Sequence, residues 1–288
     1  MTGNGKTFIL GVGAQKCGTS WLHHQLQQHP LVDMGFCKEY RALRDRRWRE
    51  QLQQQLQHRS LDRPSASEQF GHLDDAAKHR LILHNERAYY RYFQWLMNHH
   101  PQIKATGDMS PHYSNLSRQT FKRAKRHLNK QGFTVKVIFL MRDPVERVWS
   151  QVRMLRTNGK MASVNQCSSE EEALALHYRH PRFSTKGQYH LTLQALRSAF
   201  PADALHCGFY ESLFEQASLI KLSTFLDLDL HSAKTNERIN ASPKTKLISE
   251  ALQAEIASHY RDVYTGCLRH FGEEILERWP SSRFIFNT

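Results

Sequence analysis

Between Phe8 and Leu22 the sequence reads Phe8-Ile9-Leu10-Gly11-Val12-Gly13-Ala14-Gln15-Lys16-Cys17-Gly18-Thr19-Ser20-Trp21-Leu22. Thr7 to Val12 is an apolar run of the kind that forms a buried strand. Gly11 to Gly18 is a loop with three glycines and a lysine. Thr19 opens a helix, with Leu22 and Leu26 one turn apart on one face. A strand running through a glycine loop into a helix start is an anion site in outline. Backbone N–H groups converge there, and the helix dipole favours negative charge.

Two common phosphate loops do not fit. The dinucleotide fingerprint G-x-G-x-x-G requires glycine where this chain has Lys16. The nucleoside-triphosphate loop G-x-x-x-x-G-K-[ST] is approached from Gly13 to Gly18, but Thr19 stands where its lysine belongs. Lys16 precedes the last glycine and cannot meet β/γ-phosphates from the helix start.

A second element repeats the theme. Val135-Lys136-Val137-Ile138-Phe139-Leu140 reads as a strand and is followed by Met141-Arg142-Asp143-Pro144. Asp143 suits an N-cap and Pro144 the first helical position. Val145, Val148, Trp149, Val152 and Leu155 then form one apolar stripe, with Ser150 off it. Arg142 at the strand end and Ser150 near the helix start are placed to hold a second phosphate.

Together, Gln15-Lys16-Cys17-Gly18-Thr19-Ser20-Trp21-Leu22 and Phe139-Leu140-Met141-Arg142-Asp143-Pro144-Val145-Glu146-Arg147-Val148-Trp149-Ser150 resemble the two donor-binding elements of sulfotransferases that use 3′-phosphoadenosine 5′-phosphosulfate (PAPS). The resemblance implies that Lys16, Cys17, Gly18, Thr19, Ser20 and Trp21 surround the 5′-phosphosulfate. It implies that Arg142 and Ser150 hold the 3′-phosphate. The motif pattern is most similar to the glycosaminoglycan class. There a Lys-Glu pair supplies the catalytic carboxylate, which Lys38-Glu39 resembles, although Arg41-Ala42-Leu43 replaces the aromatics that follow in that class.

Gly107-Asp108-Met109-Ser110-Pro111-His112-Tyr113 resembles the Glu-Lys-Thr/Ser-Pro-x-Tyr segment of the same class, with Met109 in place of the lysine. Gly187 and Tyr189 match a Gly-x-Tyr beside the acceptor. Tyr210, in a Tyr-Glu step after a strand, matches an adenine neighbour. Ser242, Lys244 and Lys246 correspond loosely to a basic loop that closes over the 3′-phosphate. Glu39 is the expected general base. His112 is the competitor, because many sulfotransferases acting on small hydroxyl compounds use a histidine whose pKa lies near neutrality.

At 288 residues the chain can bury one full core. No linker, repeat or low-complexity segment divides it, so residues 1–288 are expected to form one domain, with a charged helical insertion at about 41–100. No apolar run is long enough to span a membrane, and Met1-Thr2-Gly3-Asn4-Gly5-Lys6 leads directly into a strand rather than a signal peptide. Animal Golgi members of the family carry a membrane anchor. Its absence suggests a bacterial or cytosolic enzyme, or a chain trimmed of its anchor, and a cytoplasmic location is expected.

The five cysteines lack Cys-x-x-Cys spacing, and reduced thiols fit better than a disulfide framework. Cys17 lies where a helix start can lower a thiol pKa, but reads more simply as a small loop residue. Eighteen histidines include His23-His24 and His99-His100, which lack metal partners at useful spacing. They read as surface residues, and no metal is expected. A net charge of +13 favours anionic partners. The basic residues are not interleaved with aromatics, so an anionic donor is favoured over nucleic acid.

Strands near residues 7–12, 31–34, 103–107, 135–141 and 204–209 alternate with helices. That pattern predicts an α/β fold with a central parallel sheet covered by helices on both faces. The resemblance implies the same P-loop-like nucleotide-binding arrangement. Residues 74–98, rich in tyrosine, phenylalanine and tryptophan, read as one long helix facing the core, with a sugar-stacking platform the less favoured use. Leu247 to Phe271 reads as another. The expected activity is sulfuryl transfer from PAPS to an acceptor hydroxyl or amine, most simply of a carbohydrate. A P-loop kinase or nucleotide hydrolase, and a non-catalytic nucleotide or polyanion binder, are the alternatives.

Overall fold

A computed structural model of the chain describes residues 6–45, 70–230, 233, 235 and 247–286. Its centre is a five-stranded sheet. The strands are β1 (Lys6–Gly13), β2 (Val32–Asp33), β3 (Ala105–Met109), β4 (Phe133–Met141) and β5 (Leu205–Phe209). Their order is β2-β3-β1-β4-β5, and every neighbouring pair is parallel. β1 and β4 are continuous apolar runs because both faces of a parallel sheet are covered. Phe8, Ile9, Leu10 and Val12 are fully buried, as are Val137 to Met141.

The numbered helices are α1 (Thr19–Gln28), α2 (Asp75–His84), α3 (Glu86–His99), α4 (Arg118–Lys130), α5 (Pro144–Asn158), α6 (Glu170–His177), α7 (Tyr189–Arg197), α8 (Gln216–Leu226), α9 (Glu250–His259) and α10 (Arg261–Phe271). From β1 the chain builds outward to β3 and β2 on one side and to β4 and β5 on the other. Open α/β sheets bind ligands where strand order reverses in this way, outside the carboxyl ends of the strands. The loops after β1, β3, β4 and β5 meet at that edge.

Two expected long helices are each broken. Asn85 ends α2 and caps α3, its Oδ1 accepting from Arg87 N at 3.0 Å. A good N-cap residue inside a helical pattern offers the backbone a competing hydrogen bond. Leu247–Phe271 breaks at Tyr260, whose buried ring packs inward toward Arg147. The aromatic stretch lies in the core, as its composition implies. Tyr89, Tyr90, Tyr92 and Phe93 are buried, and Phe93 meets Phe8 edge-on at 4.9 Å. Of the charged insertion, residues 41–45 carry no helix and 46–69 lie outside the described residues. Helix α8 buries Leu219, Leu222, Ser223 and Leu226 along one face.

Candidate active site

The loop after β1 is shaped by close packing. A side chain at Gly11 would place its Cβ 2.0 Å from Met109 Sδ on the adjacent strand. Gly18 has φ +86°, and a Cβ there would lie 2.4 Å from Leu213 Cδ2. Lys16 also takes a left-handed conformation, at φ 70°. Gly18 caps α1 without any side-chain hydrogen bond, and the first turn holds no acidic residue. The first N–H groups of a helix have no intrahelical acceptor, so this end keeps its affinity for an anion.

Each predicted loop residue has a distinct setting. Cys17 is fully buried, with Sγ 3.6 Å from both Gln15 O and Tyr189 Oη. Burial pushes its thiol up to about 12, so it is an inert packing group. Tyr189, matched by resemblance to an acceptor neighbour, is instead buried beneath the loop against Phe139 and Trp279. Thr19 is buried, Ser20 half-buried, and Thr19 Oγ1 accepts from Lys38 Nζ at 3.5 Å. Trp21 is buried, edge-on to Phe214, which in turn meets Tyr210 edge-on. It therefore supports Tyr210 from behind. Lys16 is lowered to about 8, first by burial and then by the charges of Arg142 and Arg153.

The loop after β4 brings the second group. Arg142 lies with its guanidinium carbon 4.3 Å from the Tyr210 ring centroid, and its Nη2 donates to Glu146 Oε2 at 3.0 Å. Its Nε is buried with no hydrogen-bond partner. Asp143 turns inward. It caps α5 through Val145 N at 2.9 Å and accepts from Tyr264 Oη at 3.0 Å and Ser281 N at 2.7 Å. A helix start capped by its own carboxylate does not attract anions, so the positive charge of this loop comes from its side chains. Ser150 and Arg153 are both buried and lie on one face of α5 with Glu146. Behind Arg142, Glu211 is pushed up to about 7 by burial. Its Oε1 accepts from Asp143 N at 2.9 Å.

A third cluster is anchored by Asp108 at the end of β3. Asp108 is fully buried and accepts from Ser110 Oγ and Tyr113 Oη at 2.6 Å each and from Tyr89 Oη at 3.1 Å. Burial raises its carboxyl to about 6 against the pull of these bonds. Ser110 Oγ and Tyr113 Oη in turn accept from Arg41 N and Ala42 N at 3.3 and 3.0 Å. Met109 N donates to Lys38 O at 3.2 Å. The segment from Lys38 to Ala42 is thereby tied to the end of β3.

Glu39 and His112 consequently lie side by side, Oε2 to Nδ1, at 3.7 Å. Arg41 Nη2 and Lys38 Nζ lie 2.7 and 3.4 Å from the same carboxylate. Burial alone would raise Glu39, but His112, Arg41 and Lys38 outweigh it and hold it at about 2. Lys186 Nζ donates to Gln15 Oε1 at 2.9 Å and is lowered to about 8, first by burial and then by Arg147, Arg182 and Arg41.

Lys16 and Arg142 thus follow adjacent strands, Tyr210 stacks on Arg142, and the two candidate bases are neighbours. Ser242, Lys244 and Lys246 lie outside the described residues. The sequence does not point to Arg153, Arg41 or Lys186 as site residues, and Lys38 enters there only as the neighbour of Glu39. Only the spacing of Arg153 from Ser150, three residues on a helix, signalled its place. His23, read as a surface residue, has a buried Nε2 and is lowered to about 4 by burial and by Lys38. Among the described residues no three His, Cys, Asp or Glu side chains gather as metal ligands, and no helix is long and apolar enough to cross a membrane.

A family model described as "Sulfotransferase family" matches residues 8–232, more than half of the chain. The chain belongs to the sulfotransferase family. Among solved structures it is similar to a sulfotransferase from Alicyclobacillus acidocaldarius, at 18% identity and a TM-score of 0.58, over 92% of this chain and 95% of that one. At that identity the likeness shows the fold. The sulfotransferase domain of the Synechococcus PCC 7002 olefin synthase aligns at 18% identity and TM-score 0.48, over 88% and 87% of the two chains. A mouse sulfotransferase complexed with PAP aligns at 12% identity and TM-score 0.48, over 96% and 89%. Neither superposition is close enough for a residue-level comparison. No curated protein matches the chain. In this sulfotransferase, both phosphate-type elements leave the carboxyl ends of adjacent central strands, and the Glu39–His112 pair lies beyond the end of the third.

Proposed function

We propose that this sulfotransferase uses PAPS as donor and transfers its sulfuryl group to a hydroxyl or amine of a carbohydrate. The carrying observation is that Lys16 and Arg142 follow the carboxyl ends of the adjacent parallel strands β1 and β4, beside an α1 start with no side-chain cap. Two cations so placed, beside an uncapped helix start, suit a ligand with several negative charges. By the family resemblance, the α1 start and Lys16 face the 5′-phosphosulfate, and Arg142 and Ser150 hold the 3′-phosphate. The carbohydrate acceptor is supported by the resemblance of Lys38-Glu39 and Asp108–Tyr113 to the glycosaminoglycan class.

PAPS supplies an activated sulfuryl group whose departure leaves adenosine 3′,5′-bisphosphate. The acceptor oxygen or nitrogen bonds to sulfur as the bond from sulfur to the bridging oxygen breaks, and charge grows on that oxygen. The Lys16 ammonium and the loop amides stabilise this charge, the kind of interaction that usually contributes most. The acceptor proton passes to the Glu39–His112 pair. Held at about 2, Glu39 is a weak base by itself. His112 is half-exposed at 3.7 Å, suited to take the proton while the carboxylate holds the resulting imidazolium.

Calorimetry and turnover test the proposal together. Adenosine 3′,5′-bisphosphate should bind equally with and without chelator and far more tightly than ATP. PAPS with a panel of sugar acceptors should give sulfated product. Mg-dependent ATP binding tighter than bisphosphate binding would return the chain to the kinase-like alternative. Binding without turnover on any acceptor would leave a non-catalytic binder.

A further inference from the structure

One residue of α5 stands beside the proposed donor elements with two buried guanidinium nitrogens that no protein group meets. Arg153 is 3% exposed, yet its Nε and Nη1 are buried without a hydrogen-bond partner. Buried guanidinium donors are normally satisfied, and those that are not call for an explanation. The nearby acids Glu146 and Glu170 attract Arg153 electrostatically but give its Nε and Nη1 no hydrogen bond. Glu146 accepts from Arg142 at 3.0 Å, and Glu170 accepts the Trp149 indole N–H at 3.0 Å. The Arg153 guanidinium carbon lies 4.7 Å from the Trp149 ring centroid. That stacking restricts its plane and leaves its edge for a partner.

Its direction follows from the helix. Glu146, Ser150 and Arg153 are spaced four and three residues apart, so they share one face of α5. Arg142, just before that helix, lies over Tyr210 with its own Nε buried and unpartnered. Arg142 and Arg153 both act electrostatically on Lys16, and Arg153 feels Arg142 together with the opposite charges of Glu146 and Glu170. Two guanidinium groups with three orphaned nitrogens, one before α5 and one on the helix face that carries Ser150, suit an anion that brings several oxygens.

We propose that Arg153 is a second guanidinium on the 3′-phosphate of the donor and a determinant of specificity for nucleotides that carry it. This assignment rests on the PAPS-donor reading above. The 3′-phosphate, rather than the 5′ group, is its partner because Arg153 shares its helix face with Ser150 and neighbours Arg142. The 5′ group belongs to the β1 loop and α1. Arg142 grips one edge of the phosphate and Arg153 another, with Ser150 between them on the helix.

The test is titration of the full-length protein and its Arg153→Gln and Arg153→Lys variants with adenosine 3′,5′-bisphosphate and adenosine 5′-phosphate. Arg153→Gln should lose about tenfold or more in bisphosphate affinity, as for a lost charge-assisted hydrogen bond, and change little toward the monophosphate. Arg153→Lys should recover part of the loss. If Arg153→Gln does not fold, nitrogen-15 spectra of the arginine-labelled parent serve instead, with the Arg153 signal identified by its loss in Arg153→Lys. Bisphosphate should move that Nε–H signal and monophosphate should not. A parent that binds both nucleotides alike would overturn the donor reading and this assignment with it. A parent that discriminates, with an Arg153→Gln variant that discriminates equally or an unmoved Arg153 signal, would overturn this assignment alone.

Discussion

Replacing Glu39 with glutamine tests which of two neighbouring groups takes the acceptor proton. Glu39 Oε2 and His112 Nδ1 are 3.7 Å apart. Unit charges at that separation attract by about 4.5 kcal/mol at an effective dielectric constant of ~20 and by about 1 kcal/mol in bulk water. The His112 side chain is 44% exposed, so screening reduces the pair to about 1–2 kcal/mol. If His112 carries the proton and Glu39 holds the imidazolium, Glu39→Gln should slow transfer by about 5–30-fold. His112→Asn should then cost about 10²–10⁴-fold, the usual contribution of a general base, and the double variant should be no slower than His112→Asn alone. The assay is single-turnover transfer from PAPS to one acceptor, after calorimetry has shown that bisphosphate binding is intact. Loss of about a thousandfold or more in Glu39→Gln, with near-parental turnover in His112→Asn, would refute the reasoning and make Glu39 itself the base. The pH dependence of stability supplies a control. The folded-state pKa of Glu39 is depressed from 4.5 to about 2, so its contribution is complete above 4.5 and is lost as pH falls toward 2. Glu39→Gln should remove that acid-range loss.

Lys16→Ala should lower kcat about a hundredfold or more with a smaller change in donor affinity, because its ammonium meets charge that grows during transfer; equal losses would make Lys16 a ground-state contact only. Lys16 is cationic below about 8, so affinity for adenosine 3′,5′-bisphosphate should fall as pH rises through 8 and flatten in Lys16→Ala. Lys186 titrates in the same range, which makes its alanine variant the control. Arg142→Ala should cost about 1.5–3 kcal/mol in bisphosphate binding and leave adenosine 5′-phosphate unchanged; equal loss toward both would show a structural role. Asp108→Ala should destabilise the fold by about 3–5 kcal/mol in urea titration, because three buried hydroxyls lose their acceptor. A loss below about 1 kcal/mol would mean that the hydroxyls find other partners.

Local pattern was sufficient for much of the architecture. Both faces of a parallel sheet are buried, so β1 and β4 must be continuous apolar runs, and such runs are visible by eye. The anion loop is equally local, since strand, glycines and helix start are contiguous in the chain. The N-cap role of Asp143 and the N1 role of Pro144 follow from a tetrapeptide. The helix breaks at Asn85 and Tyr260 were less legible. Capping and inward packing there overrode an apolar pattern that continues through both.

The amino-acid sequence by itself determined the order of the strands along the chain, the two elements proposed to hold the donor and the residue types in them that suit phosphate. It also supplied Glu39 and His112 as rival bases, because each lies in its own recognisable segment. Only the tertiary structure decided that the rivals are a pair. Asp108 ties the Lys38–Ala42 segment to the end of β3 through Ser110 and Tyr113, and that docking brings Glu39 to His112. In the same way, Arg153 shows its helical spacing in sequence, but its burial and unpartnered nitrogens arise from packing against Trp149. Periodicity reports which face a residue occupies. Desolvation and the distance between charges depend on chain segments far apart in sequence, so they are set when the sheet and its loops come together.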